Sequence, residues 1–140
     1  MGQVTGNPEW KDYPDESTPV TAQALNNIED ALDGALTGRY LGVNDQTGTT
    51  YTPVLSDEGK LVTLTNAAAI TVTLPQDSDL AFPIGARTDY VVLGEGMVTF
   101  VAGTGATIKV ADTAVSRKTN SSMTAVKVAA DTWLVVGDLA

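Results

Sequence analysis

With 140 residues and neither cysteine nor histidine, the chain excludes a disulfide framework, thiolate metal ligation and the commonest general base and zinc ligand. It is long enough to bury a core without staples. Its formal net charge of −9 is unevenly placed: residues 1–33 carry Glu9, Asp12, Asp15, Glu16, Glu29, Asp30 and Asp33 against Lys11 alone.

That balance argues against nucleic acid as a partner, because phosphate contact needs clustered Lys and Arg. Arg117-Lys118 is the one local basic pair and reads as a solvated turn. The acidic N-terminal third either meets a basic surface on a protein partner or serves solubility. Apolar runs reach four or five residues, too short to span a bilayer, so no membrane partner is expected. Met1 to Gly6 has neither a basic region nor an apolar run and does not read as a secretory signal.

Residues 1–19 hold Gly2, Gly6, Pro8, Pro14 and Pro19 among polar residues. This composition predicts an extended or disordered arm. Trp10 and Tyr13 interrupt its polarity. They either anchor on a partner, with Pro14 and Pro19 as further attachment positions, or fold back on the chain's own helix or β-domain.

A short amphipathic helix is expected over residues 20–38. Thr18 is one candidate N-cap, with Pro19 at the first helical position; Thr21 is the other, with the helix starting at Ala22. Leu25, Ile28, Leu32 and Leu36 recur at helical spacing and form one narrow apolar stripe. Gln23, Asn26, Asn27, Glu29, Asp30 and Asp33 occupy the opposite face, and Gly38 can stop the helix. Such a helix is marginal alone in water. Its stripe packs either on the β-domain or on copies of itself. Self-association is favoured, because the β-rich remainder can close its own core.

From residue 39 onward, short period-two runs between turn residues predict an antiparallel β-sandwich or small β-barrel of about seven or eight strands. The runs are Lys60–Thr65, Ile70–Leu74, Arg87–Leu93, Met97–Ala102, Thr107–Val110, Ser122–Ala129 and Thr132–Val136. Residues 47–53 read as a polar connection. Gly94-Glu95-Gly96 and Gly103-Thr104-Gly105 read as hairpin turns, and Ala130-Asp131 as the turn between the last two strands. Val72, Leu74, Val98, Phe100, Val126, Val128, Trp133 and Val135 are the expected core, and the twenty threonines suit outward strand positions.

Catalysis finds no support in the residues. Asp57-Glu58 and Asp77-x-Asp79 are paired carboxylates, which glycoside hydrolysis uses when they flank a sugar cleft. Here they stand among turn residues, where Asp is common for its local hydrogen bonds. Asp77-Ser78-Asp79 lacks the later glycine and glutamate of a calcium loop. No catalytic residue, metal ligand or cofactor is assigned.

Two stretches carry a resemblance. Leu61-Val62-Thr63-Leu64, Ile70-Thr71-Val72-Thr73-Leu74-Pro75, Pro83-Ile84-Gly85, Gly96-Met97-Val98-Thr99-Phe100 and Asp131-Thr132-Trp133-Leu134-Val135-Val136-Gly137-Asp138 resemble the layout of β-domains on tailed-phage virion proteins. Trp10-Lys11-Asp12, Thr18-Pro19-Val20-Thr21 and Leu25-Asn26-Asn27-Ile28-Glu29 resemble the N-terminal segment of phage fibre, minor tail and head-decoration proteins. The resemblance implies a non-enzymatic virion protein made in the host cytoplasm, attached to the major capsid protein and presenting a small β-knob as a homo-oligomer, by preference a trimer. The alternative it leaves open is a minor tail or receptor-binding component that recognises a host surface glycan. The shortness of the chain behind the helix favours the capsid.

Overall fold

The computed structural model describes residues 22–37 and 40–140. They divide into two units: one holds a single α-helix, and Tyr40–Ala140 forms the other. The helix, α1, runs Ala22–Thr37, inside the expected range. Both candidate caps, Thr18 and Thr21, lie outside the described residues, as does the stop at Gly38.

The second unit is mainly β, as expected. Its nine strands are β1 (Val43–Gln46), β2 (Thr50–Tyr51), β3 (Leu61–Leu64), β4 (Ile70–Leu74), β5 (Arg87–Val92), β6 (Val98–Ala102), β7 (Thr107–Lys109), β8 (Ser122–Ala129) and β9 (Thr132–Gly137). One sheet has the order β1-β3-β5-β8-β9-β7 and the other β2-β4-β6. From β1 to β6 the chain alternates between the sheets, and each strand pairs in parallel with the one a full turn earlier. The first six strands therefore wind as a two-sided parallel coil of three turns. Parallel neighbours need a crossover; here the strand in the opposite sheet supplies it, where an α/β protein would use a helix.

The pairing is thus mixed where a purely antiparallel sandwich or barrel was expected. Among the strand pairs, only β5–β8 and β8–β9 are antiparallel. Gly94–Gly96 and Gly103–Gly105 are corners that carry the chain from one sheet to the other, not hairpin turns. A hairpin and a coil corner look alike in sequence, since both put short turn residues between alternating strands. β1 went unrecognised because it carries Asn44 and Gln46 on the half-buried side, so the apolar alternation that marks a strand is missing, and β2 because two residues are too few to show any alternation. The turn at Ala130-Asp131 does join β8 to β9 as a hairpin, with Asp131 at φ 50°.

The corners stack. Asn66 Nδ2 donates to the Thr47 carbonyl at 2.7 Å, the Asn66 side-chain oxygen accepts from Ala68 N at 2.8 Å, and its backbone carbonyl accepts from Gly96 N at 2.8 Å. One asparagine thereby ties the equivalent corners of all three turns.

Between the sheets lie Val62, Leu64, Tyr90, Val92, Met123, Ala125, Trp133 and Val135 from one side and Ile70, Val72, Leu74, Val98 and Phe100 from the other. Tyr90 meets Phe100 edge-on, with ring centroids 5.1 Å apart. Of the expected core residues, Val72, Leu74, Val98, Phe100, Trp133 and Val135 are buried. Val126 and Val128 are not core: Val126 is half-buried and Val128 is 40% exposed. β8 turns Met123, Ala125 and Lys127 inward instead. Both phases of this strand contain apolar residues, and a one-residue change of phase exchanges the faces.

Candidate functional site

Among the described residues, the surface best suited to a partner is the stripe on α1. Leu25, Ile28 and Leu32 share one helical face at spacings of three and four and stand 52%, 54% and 55% exposed. Three large apolar side chains in a row on a short helix are unusual to leave in water. Leu36 belongs to the same helix, but its side chain lies outside the described residues. Trp10, Tyr13, Pro14 and Pro19 also lie outside them.

The β-unit carries further exposed apolar residues at the beginning of its coil. Leu41, Val43, Val54 and Leu55 are 62%, 65%, 46% and 47% exposed. Beneath them the core ends in polar groups. Asp57 is fully buried and accepts hydrogen bonds from the Tyr51 hydroxyl, from Asn44 Nδ2 at 2.8 Å and from Val54 N at 2.9 Å. Gln46 Nε2 donates to Asn44 Oδ1 at 2.7 Å. Burial, then the Asp57 hydrogen bond and charge, push the Tyr51 hydroxyl well above its ordinary pKa, so it remains a donor. Glu58 is exposed while Asp57 is buried; the two carboxylates share no cleft.

A second carboxylate is held on the outer face of the larger sheet. Asp89 is 6% exposed and accepts from Arg87 Nε at 3.0 and 3.1 Å, from Thr124 Oγ1 at 2.6 Å and from the Tyr40 hydroxyl. Burial opposes its charge, but these hydrogen bonds and the Arg87 charge together outweigh that and set its pKa below the ordinary carboxylate value. Burial, followed by the Asp89 charge and hydrogen bond, raises the Tyr40 pKa. Next to this group Asp45 Oδ1 accepts from Thr63 Oγ1 at 2.7 Å and from Thr65 Oγ1 at 3.2 Å.

The third carboxylate, Asp77, faces Lys127. The hydrogen bond from Lys127 holds Asp77 below the usual carboxylate range. Asp79, its expected companion, is exposed. Among the described residues no group of three or more acidic side chains is placed to hold a metal. Arg117 of the basic pair is tied to Asp138 at 2.9 Å.

Sequence reasoning missed Lys127, Asp57 and Asp89 as organising groups. Lys127, a single charged residue within an alternating strand, reads as outward, and nothing local shows that its partner Asp77 stands fifty residues away; Asp57 reads as a turn residue, and no local pattern shows that Thr124 closes on Asp89. Comparisons with protein-family models, with curated proteins and with solved structures return no match.

Proposed function

We propose that this chain is a non-enzymatic structural protein of a phage virion, assembling through its N-terminal segment and presenting the β-unit on the capsid surface. The observation that carries the reading is the stripe of Leu25, Ile28 and Leu32, each more than half exposed. A helix of this length gains its stability from burying such a stripe, and a sister helix offers the same surface in return. The inward positions of the β-unit are filled by its own side chains, and its buried carboxylates Asp57 and Asp89 are engaged by structural donors. Those carboxylates hold the fold. The sequence resemblance supplies the virion and the capsid, and a small homo-oligomer, by preference a trimer, fits local three-fold positions on a shell.

The test has two parts. Light scattering on the full chain gives an oligomer mass, which Leu25→Ser, Ile28→Ser and Leu32→Ser together reduce to that of a monomer. Labelled protein added to capsids stripped of it binds the shell through the major capsid protein. An oligomer mass unchanged by the triple substitution overturns the helix as the assembly element. Label confined to tails, or bound to host glycan, establishes the tail or receptor-binding reading in its place.

A further inference from the structure

Lys127 occupies a core position of β8, and its side chain is sealed from solvent. Lysine is almost never fully buried unless paired. Around Nζ stand the Asp77 carboxylate, the Phe82 carbonyl oxygen at 3.3 Å and the Trp133 ring, whose centroid is 5.5 Å away. Phe82 and Trp133 meet edge-on at 5.2 Å, so the amine lies against aromatic carbon.

Asp77 is gripped from the other side as well. The Asp131 backbone N–H donates to its Oδ2 at 3.3 Å, and its own backbone N–H donates to Asp131 Oδ1 at 2.6 Å. The Asp77 side chain is 36% exposed. A primary amine thus approaches the carboxyl group from a dry side. A backbone donor holds the second oxygen, and a path to water stays open beyond it.

We propose that Lys127 and Asp77 condense in the folded protein to an intramolecular isopeptide bond between Nζ and Cγ. A proton first passes from the ammonium to the carboxylate within the pair, leaving an amine and a carboxylic acid. The contact that holds Asp77 below the usual carboxylate range makes this transfer an uphill step, reached from the fixed pair. The nitrogen lone pair then adds to Cγ, and the Asp131 N–H stabilises the oxygen that takes up the negative charge. The Cγ–hydroxyl bond breaks, the hydroxyl leaves with a proton from nitrogen as water, and an amide remains. No oxidant, metal or further reactant is consumed. Fixed proximity supplies the drive: well-oriented intramolecular partners reach effective molarities of about 10⁵ M or more. The product would tie the loop after β4 covalently to β8, across fifty residues of sequence, in a chain that has no cysteine to do so.

Intact mass measurement of the denatured full chain tests this directly. The expected mass is one water below that of the sequence, and a digest yields one branched peptide joining the segments of Asp77 and Lys127. Lys127→Arg and Asp77→Ala restore the full sequence mass. Asp77→Asn forms the same amide with loss of ammonia and so arrives at the wild-type crosslinked mass. Full sequence mass in the folded wild-type protein, with the two peptides recovered separately, overturns the proposal without reference to any variant. Water loss mapped to a succinimide within a single peptide overturns it equally.

Discussion

The backbone amide of Gly96 donates to the carbonyl oxygen of Asn66 at 2.8 Å, which stacks the corner after β5 directly on the corner after β3. A Cβ placed on Gly96 would lie 1.8 Å from the carbonyl oxygen of Ala68 and 2.9 Å from that of Asn66. Both obstacles are backbone atoms that cannot swing aside. Gly96→Ala is therefore expected to destabilise the β-unit by about 1–3 kcal/mol, the usual range for forced overpacking. The midpoint of urea unfolding measures it, and an unchanged midpoint would show that the corners do not stack so closely.

Trp133 is fully buried and donates from Nε1 to the Pro75 carbonyl at 2.9 Å. Trp133→Ala removes the largest buried side chain and is expected to destabilise by about 3–5 kcal/mol. Trp133→Phe keeps much of the volume but leaves the Pro75 carbonyl without that donor, a further loss of about 1 kcal/mol. Calorimetry on the two variants separates volume from hydrogen bonding; a near-neutral Trp133→Ala would place this ring outside the core.

Asp57 closes the first turn of the coil by accepting from Tyr51, Asn44 and Val54. Asp57→Ala leaves three donors without their acceptor, at about 1–3 kcal/mol for a buried group. Hydrogen exchange should report the damage locally, with faster exchange in β1 and β2 and little change at β8 and β9. Uniform acceleration across the β-unit would show instead that the first turn has no separate role.

Asp89 predicts an acid limb in the stability curve. Its folded pKa lies below its unfolded value, so the stabilisation is complete above the ordinary carboxylate value of about 4. It is lost as pH falls through the lower folded value, because the unfolded chain then binds the proton more readily. Asp89→Asn should flatten this limb while leaving the slope at neutral pH unchanged, as followed by thermal unfolding across an acid series. A limb of equal depth in the variant would assign the effect to other carboxylates.

The phase of β8 can be tested at two positions of similar chemistry. Val128 is 40% exposed, so Val128→Thr should shift stability by no more than about 0.5 kcal/mol. Val135 is buried in β9, and Val135→Thr places a hydroxyl among apolar atoms, with an expected loss of about 1–3 kcal/mol. Equal effects at the two sites would return Val128 to the core.

Much of the strand pattern was legible because period-two alternation is a local property. Ile70–Leu74 was read to the residue, and Arg87–Leu93, Met97–Ala102, Ser122–Ala129 and Thr132–Val136 to within one residue at each end. The absence of a catalytic pair in the loops was an expectation of the same kind, resting on residue types. What failed was non-local. Val126 and Val128 were assigned to the core because valine outranks lysine in apolarity, yet Lys127 takes the inward position through Asp77, fifty residues away in sequence, with Trp133 beside it across the β8–β9 hairpin.

The amino-acid sequence by itself determined a chain with one helix ahead of a β-body, its charge concentrated at one end and its chemistry free of cysteine and histidine. Those properties follow from composition and from periodicities a few residues long. Tertiary structure alone decided that successive strands alternate between two sheets and stack in parallel, and that Asp57, Asp89 and Lys127 are interior or near-interior charges. Parallel pairing joins residues eighteen to twenty-eight positions apart, and a buried charge is tolerated only where a distant partner arrives. No local pattern encodes either.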